Sequence, residues 1–463
     1  MSSALLGHDL SFGRISASDL PIFRADTRLH SLFYTSGFLA VVDRDRAVIF
    51  EAEVFSSNPD SRAAGALRDS AQRASVNWSR LTERPFEPVC LTLYLNNECN
   101  LRCCYCYSCP SPEPGIRLDK DTIQQAAALV AVNCKRRKTP LTVVFHGGGE
   151  PTLHQALTDS ALDTVEQIAR EQGLGIFRYV ATNGVMPATK ARWLAQRFDL
   201  IGLSCDGPMD IQDNQRPLWG GGSTSSVVQR TARIVKDSGK PLSIRVTLTR
   251  ESFRRQAEIA DYLCQMFQPR EIHVEPVYEV GRAEDGTTVI ESAEEFVSEF
   301  LHAERIAQAH GVRWQMSISR PEELHGPYCH LFRDVLQLVP GSGAIACFKV
   351  TDADTARRQG SLIGERNTDG TFSLNAQRIS ELQTLLQHEP EMCQNCFNKF
   401  HCVRTCPEYC PLESSPHQAG FRCQIGRLLM GSRLLEIANR LLGQPSTTGI
   451  RATWIPRNDR EPV

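Results

Sequence analysis

Three cysteines, Cys99, Cys103 and Cys106, stand at C-x3-C-x2-C spacing directly after an apolar, β-rich run, Leu91-Thr92-Leu93-Tyr94-Leu95-Asn96. Three thiolates carried on one loop at the mouth of a strand can hold three corners of a four-iron cluster and leave one iron without a protein ligand. A fourth thiol, Cys104, falls inside the run. Zinc is the competing reading, but zinc sites usually join two separated C-x2-C pairs, and this triplet has no such partner. A second block lies far downstream: Cys393-x2-Cys396-x5-Cys402-x3-Cys406, then Cys423.

The chain has 463 residues and 17 cysteines, a length suited to two domains. The cysteines cluster at metal-ligand intervals rather than in the framework of a small secreted domain, which points to a reducing compartment. Lys plus Arg number 51 against 53 Asp plus Glu, so no broad field recruits nucleic acid or an anionic membrane. No apolar stretch approaches the ~20 residues of a membrane span, and the first residues lack the pattern of a secretory signal. These features predict a cytoplasmic protein without nucleic-acid or membrane partners. Cys90, Cys104, Cys109, Cys134, Cys205, Cys264 and Cys410 lie outside the metal patterns and read mostly as small buried residues.

Between about residues 86 and 290 short apolar runs alternate with amphipathic stretches. The runs are 90–96, 141–145, 177–182, 200–205, 242–248 and 271–277. Six such units predict a parallel sheet with right-handed crossovers. They are too few to close an eight-stranded barrel, so an open, partial barrel is expected, active at the C-terminal ends of its strands. Asp119 is placed to cap a helix, and Pro187 to start another. Residues 1–85 read as a small α+β extension, either a cap or a peptide-docking module. It should hold a hairpin formed by 32–42 and 47–54, then a polar helix over 62–81. Residues 291–324 form a linking helix region, 325–430 the cysteine-rich domain, and 431–463 a C-terminal helix and poorly ordered tail.

The second strand is followed by His146-Gly147-Gly148-Gly149-Glu150-Pro151, and the fourth ends in Ser204-Cys205-Asp206-Gly207, with Arg216 twelve residues beyond Ser204. Together with the cysteine triplet these motifs resemble the radical SAM enzymes, and the rear block resembles their C-terminal SPASM extension. The resemblance covers about residues 86–430 and implies a partial (β/α)6 radical SAM barrel carrying a SPASM domain. It further implies that Cys99, Cys103 and Cys106 hold a [4Fe-4S] cluster that binds S-adenosylmethionine. Tyr105 would present its backbone to the adenine, and Gly148, Gly149 and Glu150 would hold the methionine amino group. Ser204 and Arg216 would bind ribose and carboxylate. His146 carries no assigned role. Gly147 is an addition to the usual Gly-Gly-Glu-Pro pattern.

By the same resemblance two auxiliary [4Fe-4S] clusters are expected, one on Cys393, Cys396, Cys402 and Cys423, the other on Cys329, Cys347 and Cys406. Cys410, His330 or an open iron would complete the second. Ser342 stands where the family has a glycine, five residues before Cys347. The implied activity is reductive cleavage of S-adenosylmethionine to a 5'-deoxyadenosyl radical, with electrons from a flavodoxin or ferredoxin, and oxidative modification of a peptide or protein. Crosslinking of a ribosomal peptide, as a thioether or carbon–carbon bond, ranks first. Sulfatase maturation by formylglycine formation ranks second, because members of that type follow the second upstream cysteine with an aspartate base and here Cys347 precedes Phe348. An iron-sulfur carrier or scaffold without enzymatic activity is the third reading. No catalytic side chain is assigned.

Overall fold

The computed structural model describes residues 11–15, 19–325, 334–387, 389–402 and 420–456. These fall into two compact units, one drawn from within 11–84, 318–325 and 386–456, the other from within 85–317 and 334–385.

The first unit opens with antiparallel strands β1 (Gly13–Arg14), β2 (Phe23–Asp26), β3 (His30–Thr35) and β4 (Phe38–Asp43). The β3–β4 hairpin turns at Ser36-Gly37, where Gly37 has φ +92°. The expected hairpin of 32–42 with 47–54 is therefore corrected, because Ala47–Phe55 is a helix. Its buried residues Ala47, Phe50 and Val54 recur at helical rather than alternating spacing. The expected polar helix follows at Arg62–Thr82.

In the second unit, strands β5 (Cys90–Leu93), β6 (Leu141–Phe145), β7 (Ile176–Thr182), β8 (Leu200–Ser204), β9 (Leu242–Leu248) and β10 (Glu271–Pro276) pair in parallel and in order. These are the six predicted strands. Helices follow them, starting with Lys120–Arg137, whose N-cap Asp119 accepts a hydrogen bond from Thr122 N at 2.8 Å. The next, Gln155–Glu171, buries Leu162, Val165 and Ile168 along one face. A short β11 (Arg313–Gln315) adds to β10 in parallel. At the other edge β12 (Val335–Val339) pairs in parallel with β5, and β13 (Gly343–Ile345), β14 (Leu362–Arg366) and β15 (Phe372–Leu374) continue antiparallel. The eleven-stranded sheet runs from β11 to β15. Residues 335–374 of the region expected as the cysteine-rich domain thus extend the barrel sheet, whereas Cys393, Cys396, Cys402 and Cys423 lie in the first unit.

Strand alternation sorts the barrel side chains. Ile244, Val246 and Leu248 are fully buried, while Arg245 and Thr247 between them are half-buried; in β10 Ile272 and Val274 are buried while His273 and Glu275 are half-buried. The apolar set packs under the helices and the polar set faces the lumen.

The chain returns to the first unit with the helix Phe421–Leu442 and β16 (Ile450–Trp454), which pairs antiparallel with β4. The expected disordered tail is corrected over these five residues: alternate residues of a strand can cover a sheet face, and Ile450 and Ala452 pack on the core of the N-terminal sheet. Leu32, Tyr34, Leu39 and Val41 pack one face of that sheet on Met430, Leu434 and Ala438 of the long helix. Phe33, Ala40 and Val42 face Phe50, Leu67 and Ala71 on the other. Among the described residues no helix is long and apolar enough to cross a membrane.

Candidate active site

The loop after β5 is held from several sides. Cys99 N donates to Ser111 O (2.9 Å), Arg102 N to Pro217 O (2.9 Å) and Cys104 N to Gln215 O (3.0 Å). Arg282 closes it: Nη1 donates to Cys103 O (3.2 Å), and its backbone N donates to Cys106 O (3.2 Å). Burial pushes the Cys99 and Cys103 thiols up to about 12. For Cys103 the Arg216 charge opposes that shift and the proximity of Cys106 and Cys99 adds to it, so the three sulfurs lie within one another's field. Cys104 is raised to about 11 by burial and by Asp206, and it neighbours Arg216 and Glu251 rather than the triplet.

The glycine-rich loop after β6 zips onto this one. Gly149 N donates to Asn96 O (2.9 Å) and Glu150 N to Glu98 O (2.7 Å). Gly147 and Gly148 have φ of +76° and +66°, and a Cβ on Gly149 would lie 2.0 Å from the Glu98 carbonyl oxygen, so only glycine fits there. Glu98 itself is buried and bonded to His154.

Glu150 is 4% exposed, and its carboxylate accepts from Thr152 N (3.0 Å), Thr152 Oγ1 (2.6 Å), Thr182 Oγ1 (2.7 Å) and Asn183 N (2.7 Å). Burial raises its pKa, and these donors pull the other way. Three of the four bonds fall on one oxygen, so Oε2, with Asn183 N alone, keeps acceptor capacity. Glu150 thereby ties the β6 loop to the end of β7.

The densest bonding at these strand ends falls on a residue to which the sequence assigns no role. Asp206, fully buried after β8, accepts from Arg216 Nε (2.9 Å) and Nη2 (3.1 Å), Gln215 Nε2 (2.8 Å), Thr247 N (2.9 Å) and the Tyr105 hydroxyl. Arg216, only 8% exposed, also lies over the Tyr105 ring at 5.3 Å. Its Nη1 makes no hydrogen bond among the described residues. Ser204, at the end of β8, likewise makes no side-chain hydrogen bond among them. One carboxylate therefore links the cysteine loop, the end of β8, the Arg216 segment and β9. The signal for it was its place two residues after Ser204.

Residues 93–263 match the family model described as the Radical SAM superfamily. Over that stretch the chain is similar to the radical SAM superfamily. A Cysteine-type anaerobic sulfatase-maturating enzyme of Clostridium perfringens is 27% identical over 169 residues, which cover 35% of this chain and 45% of that protein. The chain therefore aligns with less than half the length of this curated relative. The structure of native anSMEcpe with bound AdoMet superposes with a TM-score of 0.59 at 19% identity, covering 76% of this chain and 99% of that one. A second, of native anSMEcpe with bound AdoMet and Cp18Cys peptide, gives 0.59 at 18% identity with the same coverage. The partial barrel with a cysteine-rich, SPASM-like C-terminal region is the architecture these likenesses share.

In the second unit the strand ends thus bring together the front triplet, Tyr105, Gly148, Gly149, Glu150, Ser204 and Arg216. Cys347, buried after β13, lies in the same unit. In the other unit Cys423, in the first turn of the long helix, is pushed up to about 12 by burial and then by Cys396, Cys402 and Cys393, so it lies within the field of these three thiols. Cys329, His330, Cys406 and Cys410 lie outside the described residues. Among the described residues no three His, Cys, Asp or Glu side chains are grouped to hold a single metal ion.

Donors aimed at sulfur test whether a cluster suits the thiols. Cys99 Sγ accepts from Leu101 N (3.4 Å) and Asn183 Nδ2 (3.8 Å), and Cys396 from the Asn398 backbone. Such donors favour thiolate ligands, and coordination by metal removes the thiol proton that burial otherwise retains. The residues fit.

Proposed function

We propose that this protein is an enzyme that cleaves S-adenosylmethionine and oxidises a cysteine or serine side chain in a protein or peptide substrate, in the manner of sulfatase maturation. The observation that carries this choice is the likeness to the sulfatase-maturating enzyme, found in sequence over 169 residues and in fold over 99% of the anSMEcpe chain. It reverses the order in which the sequence ranks formylglycine formation and crosslinking. Crosslinking stays as a second reading on one observation: Phe348 follows Cys347, and its carbonyl accepts the Tyr94 hydroxyl at 3.0 Å, leaving no carboxylate at that position.

In this reading Cys99, Cys103 and Cys106 hold the reactive cluster. Tyr105, Gly148, Gly149, Glu150, Ser204 and Arg216 hold S-adenosylmethionine. Cys393, Cys396, Cys402 and Cys423 hold one auxiliary cluster, and Cys329, Cys347 and Cys406 another. When bound, the cluster and S-adenosylmethionine supply a 5'-deoxyadenosyl radical that removes hydrogen from the substrate. The chain's own part is placement. Asp206 fixes two donors of Arg216 and leaves Nη1 for a carboxylate. Glu150 offers Oε2 to an ammonium group. A flavodoxin or ferredoxin would serve as reductant.

Reconstituted, dithionite-reduced protein is incubated with S-adenosylmethionine and a pool of cysteine-bearing peptides. Formation of 5'-deoxyadenosine with loss of sulfur from the peptide supports the reading; loss of two hydrogens with sulfur retained supports crosslinking. Glu150→Gln and Arg216→Ala should each weaken S-adenosylmethionine binding roughly ten- to a hundredfold. Unchanged affinity in both would remove these residues from the cofactor site.

A further inference from the structure

The radical SAM barrel lumen contains a guanidinium that the cofactor roles leave unused. Arg245 projects from β9 on the half-buried face, with Tyr179 as its hydrogen-bonding neighbour and Glu275 and Tyr107 within its field. Tyr179 reaches it from β7 by crossing β8 at Gly202, where a Cβ would stand 2.0 Å from the Tyr179 hydroxyl. Among the described residues Arg245 forms no ion pair. Glu275, the acid it feels, takes bonds instead from His273 (3.0 Å), Tyr278 (3.4 Å) and Ser317 N (2.9 Å). His146, the strand-end histidine without an assigned role, also lies in the Arg245 field; its ring is 6.2 Å from that of Tyr94.

A second group in the lumen is short of partners. Gln337, on β12, is fully buried beside Tyr94, and neither its amide nitrogen nor its amide oxygen makes a hydrogen bond. The Tyr94 hydroxyl stands 3.2 Å from that of Tyr107, which neighbours Arg245 in turn. A half-buried cation that forms no ion pair among the described residues and a buried amide short of hydrogen-bond partners are costly unless a bound group serves both.

We propose that the lumen contains a carboxylate-binding subsite for the substrate, built on Arg245 with Gln337 and the Tyr94–Tyr107 hydroxyls beside it. The planar guanidinium matches a carboxylate through two parallel bonds. The inference rests on the peptide-oxidising reading, in which such a carboxylate belongs to an aspartate, a glutamate or the peptide terminus close to the modified residue. The other carboxylate that enters the barrel is that of S-adenosylmethionine, for which Arg216 Nη1 is already placed.

The test uses the full-length reconstituted enzyme and a pool of synthetic peptides with a central cysteine and randomised flanking residues, sequenced after modification. The wild type should enrich Asp or Glu at one flanking position over Asn or Gln by roughly ten- to a hundredfold. Arg245→Gln should lose that enrichment, and Arg245→Glu should shift it to Lys or Arg, a gain that misfolding cannot imitate. Modified peptides with no acid preference in the wild type overturn the inference and leave the function standing. Failure of the wild type to modify any peptide while 5'-deoxyadenosine forms overturns the peptide reading and the inference with it, before any variant is made. If Arg245→Gln keeps the acid preference but binds radiolabelled S-adenosylmethionine more than tenfold more weakly, the carboxylate held is the cofactor's and the inference fails.

Discussion

The two cysteine regions are held in place in different ways. The front triplet occupies a single loop, and its surroundings come from the ends of many strands: Glu98 and Asn96 after β5, Gly149 and Glu150 after β6, Asn183 after β7, Asp206 after β8, Thr247 on β9 and Arg282 beyond β10. The rear thiols come from a short segment, Cys393 to Cys402, and from the first turn of the helix Phe421–Leu442. Local turns shape that segment, with Cys396 N donating to Cys393 O (3.1 Å) and Lys399 N to Cys396 O (3.2 Å). The barrel therefore builds the front site with its own hydrogen bonds, whereas the rear site owes more of its shape to the few residues that carry its ligands.

The largest effect should come from removing the front ligands. Replacing Cys99, Cys103 and Cys106 together by alanine should abolish 5'-deoxyadenosine formation in reduced protein. Iron should fall from about twelve per chain to about eight, as three four-iron clusters become two. Substitution of Cys104 alone should do neither, since its neighbours are Asp206, Arg216 and Glu251. Residual cleavage in the triple variant would break the assignment of the reactive site to this loop.

Next in size is Asp206→Asn. The change strands a buried guanidinium, and breaking a buried pair costs about 3 to 5 kcal/mol. Urea unfolding of the iron-free protein measures it. A loss below ~1 kcal/mol would mean that the front site does not depend on this carboxylate, and the contrast between a barrel-built and a locally built site would weaken.

The predicted strands, the Asp119 cap, the glycine loop and the front triplet were legible because each rests on local spacing: alternation, a cap three residues before its amide, cysteines within eight positions. Asp206 as a hub was not, because its five donors come from three separated segments and no spacing announces them. The helix Ala47–Phe55 was misread for a related reason. Its apolar composition suits a strand, and only the faces against which Phe50 and Val54 pack decide the period. β12 escaped as well, since its pairing with β5 joins residues more than two hundred positions apart. The grouping of Cys423 with Cys393, Cys396 and Cys402 rests on family resemblance alone, not on residue physics.

His146 gives a pH test of the lumen. Burial, and secondly the Arg245 charge, push its pKa down to about 3, well below the ordinary ~6.5. Between those values the unfolded chain binds a proton that the folded chain refuses. The folded state thus loses stability as pH falls from about 6.5 towards 3 and keeps it above that range. Urea midpoints of the wild type should decline more steeply below about pH 6.5 than those of His146→Gln. Parallel curves would show that the imidazole is not held neutral beside Arg245.

The smallest effect tests the position where the sequence departs from the family's glycine. Ser342 holds φ +63°, the left-handed region that costs a side chain roughly 1 to 2 kcal/mol. Its hydroxyl donates to Asp119 Oδ2, the residue that caps Lys120–Arg137, so one bond joins the β12–β13 turn to the helix after β5. Ser342→Ala keeps the strained backbone and loses the bond, and should destabilise the protein by about 0.5 to 1.5 kcal/mol. Ser342→Gly loses the same bond but relieves the strain, and should stay within about 0.5 kcal/mol of wild type. The glycine variant should therefore exceed the alanine variant by about 1 kcal/mol, although neither carries a hydroxyl. Equal urea midpoints for the two would mean that the turn stores no strain, and that serine at the glycine position is held by its hydrogen bond alone.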